Sequence, residues 1–325
     1  VLVRNGHGFS MAQDQTKLTQ SDYRFLQRFL DVTKANLFFA RGVVIVEGDS
    51  ENILLPVIAR LIGRDFDHYG VSIVNVGGVG LSRYGRIFMR EKPVAGCEMG
   101  IPVACITDMD VMPECAPLIL GKIKNGEPIP PLPESKRRWR VKSDFKDNAL
   151  TERRAQIRDK ANEQRVRTFV ANEWTLEYDL AYCGLAKQLH IAIALADADD
   201  KLNEKKVEFS AVCEAAGKAH DSLLEKGLTK EELCSRIYEP LAVSNPVSKP
   251  TTAQYLSELL EDSVKRGALT SEGLRELLPS YVLEAIAYVT APFPASKGTA
   301  ATPLQESEAS APVVKASSGG EGILV

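Results

Sequence analysis

Histidine is scarce, with four in 325 residues, and none sits at a metal-ligand spacing. The six cysteines contain no C-x-x-C pair. A zinc site therefore has no obvious donor set. Six thiols without a pairing pattern suit a reducing cytosol. No apolar run reaches the roughly 18 residues that a membrane span needs, and no basic-then-apolar leader opens the chain. A phosphate loop of the form G-x-x-x-x-G-K-[ST] is also missing. Neither sign of charge dominates: Lys and Arg number 40, Asp and Glu 43, for a net charge of −3. That excludes a protein coated in positive charge, while leaving room for a local basic patch. At 44% hydrophobic and 26% charged residues, collagen and wholly disordered chains are excluded as well.

What is present reads as about two domains' worth of chain. Val1 stands where Met is expected, which suggests a fragment of a longer protein. Residues 1–17 are polar and aperiodic, and read as a loose lead-in. From Ser21 to Ala40, apolar residues recur at helical spacing, with Thr19 or Ser21 as cap. The β-branched run 42–46 ends at Glu47-Gly48, and a helix is expected over 50–61. A second strand, 71–76, ends in Gly77-Gly78-Val79-Gly80. A helix is expected over 82–90, and a third strand, 102–107, ends in Asp108-Met109-Asp110. This alternation predicts an α/β fold with a mostly parallel sheet flanked by helices. The unbroken apolar runs predict strands buried on both faces.

The Pro-rich stretch 112–135 reads as a long loop. Residues 136–167 hold 12 Lys or Arg against 5 Asp or Glu, a local balance of +7. A strand at 167–171 and a helix at 175–185 follow. From 186 to 243 the pattern is helical only, with 205–226 amphipathic and Thr229/Glu232 forming a capping-box pattern. Helices at 252–265 and 271–289 complete the ordered text. The Ala-, Pro-, Ser- and Gly-rich stretch 291–325 is expected to be a disordered tail. The expected organisation is a lead-in and N-terminal helix (1–40), a catalytic core (41–185), an all-helical insertion (186–243), a return to the core (244–290) and the tail.

Carboxylates cluster where strands end. Glu47 closes the first strand, at the edge where parallel sheets bind ligands, and Glu51 lies one helical turn on. Two carboxylates held close repel unless a cation lies between them. The plainer reading is a pair of helix N-terminal acids favoured by the dipole. Asp108 and Asp110 close another strand; as hard oxygen ligands they suit Mg²⁺ or Mn²⁺, or else form an ordinary turn pair. Thr175 and Glu177 follow a further strand and reach toward the same edge, unless they only open an amphipathic helix. Two metals roughly 3.5–4 Å apart activate a water and stabilise the leaving oxygen in phosphodiester cleavage. Lys249 precedes a helix, where a cation would stabilise a pentavalent phosphate; most lysines are simply solvated. Lys297 is the competing lysine. The Gly77–Gly80 loop suits either a phosphate or a tight turn. In the basic stretch, Arg137, Arg138, Arg140 and Lys142 are candidates for DNA backbone contacts, set against a solvated helix face.

Taken together, Glu47-Gly48 and Asp108-Met109-Asp110 resemble a Toprim domain. The string Val44-Ile45-Val46-Glu47-Gly48-Asp49-Ser50-Glu51, then Leu54-Leu55-Pro56, resembles the C-terminal nuclease region of the overcoming-lysogenization-defect (OLD) family. Thr107 to Asp110, Thr175 to Leu180, Ser248-Lys249 through Gln254, and Pro279-Ser280-Tyr281 resemble later blocks, so the likeness spans roughly 20–290. It implies a Toprim core and a Mg²⁺- or Mn²⁺-dependent DNA endonuclease or nickase using two ions, with Ca²⁺ non-productive or modulating. Glu47, Glu51, Asp108, Asp110, Thr175 and Glu177 would be the metal set, with Glu47, Asp108 and Lys249 catalytic. It further implies an N-terminal ABC-type ATPase in the full-length protein, a bacterial cytoplasmic setting and a role in phage defence. The helical insertion resembles class 2 members, linked to a helicase. One departure stands out: Pro250 follows the lysine where the family has Gly, and biases Lys249 toward an extended backbone.

Two other enzyme readings compete. Asp108-x-Asp110 after an apolar strand also suits a haloacid-dehalogenase-type phosphatase with Asp108 as nucleophile, which leaves Glu47 idle. A topoisomerase or primase lacks its expected partner elements. A non-catalytic docking module for an ATPase or helicase has no need for the intact set of acids.

Overall fold

In a computed structural model, residues 1–4, 7–30, 34–78, 80–93, 99–132 and 136–291 are described. Cys97, Lys297 and the expected tail beyond Ala291 lie outside them. The chain opens with a small antiparallel pair, β1 (Leu2–Arg4) and β2 (His7–Phe9). The lead-in is therefore not loose. Phe9 and Leu18 are buried anchors, and Arg90 donates through Nη1 to the Ser10 carbonyl at 2.6 Å. Two apolar anchors among polar neighbours carry no periodicity, so the pattern concealed them.

Helix α1 (Gln20–Phe29) starts at Thr19, whose hydroxyl accepts from the Asp22 N–H while Asp22 accepts from the Thr19 N–H. The helix stops at Phe29 instead of running to Ala40. Leu37 is buried from a separate 3₁₀ turn, Ala35–Phe38. Strand β3 (Gly42–Val46) then enters the core with all five residues buried. Helices α2 (Asp49–Leu61) and α3 (Phe66–Tyr69) lead to β4 (Val71–Asn75). The short α4 (Leu81–Arg86) ends before the expected Arg90, and β5 spans Val103–Thr107. The Pro-rich loop carries one helical turn, α5 (Ala116–Ile119). Helix α6 (Ala149–Asp159), β6 (Val166–Val170) and α7 (Leu176–Leu180) follow.

The four strands β3 to β6 form one parallel sheet in the order β4-β3-β5-β6. Side chains alternate across it. Val44 and Val46 join one apolar cluster, Val43 and Ile45 the other. Both faces are covered, which is why β3 contains no polar residue. The chain steps from β3 outward to β4, then crosses back to place β5 on the other side of β3. The reversal leaves a crevice beyond the carboxyl ends of β3 and β5, where open α/β sheets bind ligands.

The helical stretch holds α8 (Ala186–Asp197), α9 (Asp199–Asn203), α10 (Phe209–Leu224) and α11 (Lys230–Tyr238). The Thr229/Glu232 capping box forms as expected. Helix α12 (Lys249–Lys265) packs against both α2 and α8, tying the helical stretch to the sheet layer. The expected helix 271–289 is two, α13 (Ser271–Glu276) and α14 (Ser280–Val289), because Pro279 cannot continue the first. No described helix is long and apolar enough to cross a membrane.

Between α7 and α8 the chain makes a π-type turn, Ala181–Leu185, with Gly184 at φ 143°. A Cβ there would lie 2.5 Å from Leu277 Cδ2. Both the backbone angle and the space demand glycine. Gly184→Ala is expected to lower stability by about 1–3 kcal/mol, read as an earlier midpoint in urea unfolding.

Candidate active site

The crevice at the sheet's carboxyl edge gathers some of the residues that the strand-end pattern singled out. Glu47, Glu51, Asp108, Glu177 and Lys249 line one cavity of about 270 Å³. Each arrives by a different route. Glu47 leaves the end of β3, and Glu51 sits in the first turn of α2. Asp108 leaves the end of β5, Glu177 opens α7 beyond β6, and Lys249 is the first residue of α12. Gly48 joins Glu47 to α2, and a Cβ on it would meet Glu51 Oε2 at 2.8 Å. Glycine there lets the Glu51 carboxylate fold back toward the crevice.

Backbone and hydroxyl donors aim the acids. Thr107 Oγ1 donates to Glu47 Oε1 at 3.1 Å, and the Leu176 N–H donates to Asp108 Oδ1 at 3.2 Å. The Gly78 N–H donates to the Glu47 carbonyl at 2.7 Å. The glycine loop thus folds back on the site through its backbone, with Gly77 and Gly78 at positive φ. Asp179 accepts from the backbone N–H groups of Asn172, Glu173 and Trp174. It thereby shapes the loop that delivers Thr175 and Glu177, while burial holds its own carboxyl up at about 6. Thr107 and Asp179 escaped the sequence reading. Neither is distinguished by type, and their partners are set by the fold.

The electrostatics are those of crowded, desolvated acids. Burial raises the Glu47 carboxyl, and the charge of Asp110 adds to it against the Thr107 hydrogen bond. Burial also raises Glu51, helped by Glu177. Asp108 lies well above the usual carboxylate range, through burial and then the charges of Glu177 and Glu51. Lys249 Nζ donates to Glu177 Oε2 at 3.0 Å. Burial opposes the lysine's charge, yet Glu177, Tyr238 and Asp108 hold its pKa above the ordinary value. The helix starts at Lys249 itself, capped by Ser248, so Pro250 lies in the first turn, where its missing N–H is harmless.

The other expected residues are placed differently. Asp110 is not in the cavity lining but lies close enough to act on Glu47 and Asp108. It adopts φ 55°, a left-handed conformation uncommon for a non-glycine residue. The Thr175 hydroxyl caps α7, accepting from the Tyr178 N–H at 3.4 Å. Of the basic candidates, Arg137 is internal. Its guanidinium is 5% exposed against Asp144 and also donates to the Pro130 and Trp139 carbonyls. Lys142 pairs with Glu173 at 2.6 Å. Arg138 and Arg140 are exposed.

The donor set fits a hard divalent cation in kind: four carboxylates converge in a desolvated crevice where their charges oppose one another. As placed, no three His, Cys, Asp or Glu side chains among the described residues lie close enough to hold one ion. Lys249 is the cation that meets Glu177 here.

Residues 38–110 match the family described as overcoming lysogenization defect protein-like, TOPRIM domain. No curated protein matches the chain. The C-terminal region of the Xanthomonas campestris pv. campestris OLD protein is similar at 19% identity, covering 78% of this chain and 94% of that one, with a TM-score of 0.41. The C-terminal region of the Burkholderia pseudomallei OLD protein is similar at 21% identity, covering 78% and 98%, also with a TM-score of 0.41.

The raised acids set a pH dependence for the metal-free protein. A carboxyl held above its unfolded value binds its proton more tightly when folded. The stability it contributes is present below that unfolded value and lost as pH rises through the folded one. Asp108→Asn keeps an oxygen for the Leu176 N–H and removes the charge. In chelator it is expected to be more stable than the parent by about 0.5–2 kcal/mol near neutral pH. The difference should shrink as pH falls toward the ordinary value of 3.8, followed by thermal unfolding across pH.

Proposed function

We propose that this chain, whose residues 38–110 match an OLD-like Toprim domain, is a metal-dependent DNA nuclease that hydrolyses phosphodiester bonds. The observation that carries the reading is the cavity in which four carboxylates and one lysine meet at the sheet's switch point. Glu47, Glu51, Asp108 and Glu177 would hold Mg²⁺ or Mn²⁺, with Asp110 and Thr175 at the margin. Two such ions, when bound, supply Lewis acidity to the attacking water and to the leaving oxygen. The chain's own groups do the positioning. Thr107 holds one oxygen of Glu47, the Leu176 N–H holds one oxygen of Asp108, and Asp179 braces the loop that presents Glu177. Lys249 is the cation available to offset charge gathering on the phosphate oxygens.

The phosphatase alternative assigns Asp108 as nucleophile and has no task for Glu47, Glu51 or Glu177, which crowd the same cavity. By its family likeness the chain is further read as the nuclease half of an ATPase–nuclease protein of bacterial phage defence, with a helicase as a candidate partner.

Supercoiled plasmid incubated with the protein and Mn²⁺ or Mg²⁺ is expected to be nicked, and chelation is expected to stop the reaction. Glu47→Ala and Asp108→Ala should lose more activity than the roughly 10–100-fold that removal of an outer partner costs. Thr107→Val should fall within that range. Release of phosphate from a phosphomonoester without any nicking would overturn the nuclease reading.

A further inference from the structure

A separate cavity of about 430 Å³ runs along the outer side of β6, the strand at one edge of the sheet. Arg154 and Arg158 of α6, Arg167 of β6, and Ser280 and Tyr281 of α14 line it, with Asn172 just beyond the strand's end. Glu284 is the one acid in the lining.

The three arginines are not equally committed. Arg154 clamps the end of the strand, donating to the Ala171 carbonyl at 2.8 Å and the Asn172 carbonyl at 2.6 Å. Arg158 is half exposed and makes only a loose 3.8 Å contact with Asp159. Arg167 is exposed and donates to the carbonyl of its neighbour Val166 at 3.2 Å. Among the described residues Arg167 has no ion-pair partner, and Arg158 has only that solvent-exposed contact with Asp159. The Tyr281 hydroxyl is buried without a hydrogen-bond partner among the described residues and lies within the field of Asp179 and Asp108, so this side chain reaches from the trough's wall toward the acid cavity.

The trough ends near the acid cavity. Asn172 Nδ2 donates to Ser280 Oγ at 3.2 Å, and the Asn172 N–H is held by Asp179. The same loop then continues through Trp174, whose carbonyl accepts from Met109, to Glu177. The acid cavity by itself repels a phosphate, so a nucleic acid needs a cationic track to reach it. Arginine suits that task, since its planar fork pairs with phosphate oxygens through two donors.

We propose that this edge trough binds the phosphate backbone of one DNA strand through Arg158 and Arg167 and leads it to the acid cavity. The proposal rests on the nuclease reading and names the surface through which that site receives its substrate.

The test measures binding of a fluorescein-labelled single-stranded deoxyoligonucleotide by anisotropy over a range of salt. All proteins carry Asp108→Asn in the full chain, to prevent cleavage. Arg158→Gln with Arg167→Gln is expected to weaken binding roughly tenfold. The slope of log affinity against log salt should fall by about 1.4, at roughly 0.7 for each phosphate no longer neutralised. Arg158→Lys with Arg167→Lys should retain most of the slope. Lys218→Gln with Arg266→Gln removes the same charge elsewhere and should change neither quantity. An unchanged slope in the glutamine pair overturns the proposal. So does an equal loss in the lysine pair, which would mark a structural role, or in the Lys218/Arg266 pair, which would mark a general charge effect. If the parent chain nicks plasmid and the Arg158→Gln, Arg167→Gln pair binds with unchanged affinity and slope, the trough alone falls. If the parent chain neither nicks plasmid nor binds the oligonucleotide, the nuclease reading falls and takes the trough with it.

Discussion

Four carboxylates packed into one desolvated crevice are the constraint around which this molecule is arranged. Each would lower its energy by moving into water; burial first, and then the charges of neighbouring acids, raises the proton affinity of Glu47, Glu51 and Asp108. The fold keeps them together by spending hydrogen bonds from rigid elements on their orientation and by bringing in one lysine. That lysine is placed against the local field. Lys249 is the first residue of a 17-residue helix, where the dipole favours anions, so its charge depends on Glu177 and its neighbours. The pair is therefore mutually dependent. Removing Lys249 leaves Glu177 buried and uncompensated, which is the costly case for a buried ion pair, whereas the lysine, 36% exposed, keeps some access to water.

The sheet explains how side chains so far apart in sequence meet. Parallel strands all point their carboxyl ends one way, so every segment leaving a strand emerges at the same edge. β3 and β5 are neighbours in register, Ile45 opposite Cys105, and so Glu47 and Asp108 emerge side by side. The crossover order opens the crevice between them. Helix α12 then rests on α2 and brings its first residue over that opening. The meeting of these side chains follows from topology plus a few short-range contacts, with the apolar clusters on the two faces of the sheet holding the strands in place.

Positive charge is distributed less simply than composition suggests. The +7 stretch looks uniform as text, but its members serve different ends. Arg137 and Arg154 are structural, each donating to several carbonyls. Arg153 donates to the Met109 carbonyl near the acid turn and lies over the Phe145 ring. Arg138, Arg158 and Arg167 face outward. A guanidinium can brace a loop or meet a phosphate, and only its neighbours decide which.

The sequence by itself determined the class of fold and pointed to the strand-end acids Glu47 and Asp108. β-branched runs ending in Glu-Gly and Asp-x-Asp carry both signals locally, because strand burial and strand-end chemistry depend on consecutive residues. The element boundaries were less legible. The N-terminal pair β1–β2, the break after Phe29 and the split at Pro279 depend on distant packing or on one residue that interrupts an otherwise continuous pattern. Tertiary structure alone decided that Glu51 and Glu177 share a cavity with Asp108, that Thr107 and Asp179 orient the site, and that Arg137 is internal. These facts depend on distances between residues tens of positions apart, set by strand order and helix packing, and no local spacing encodes them.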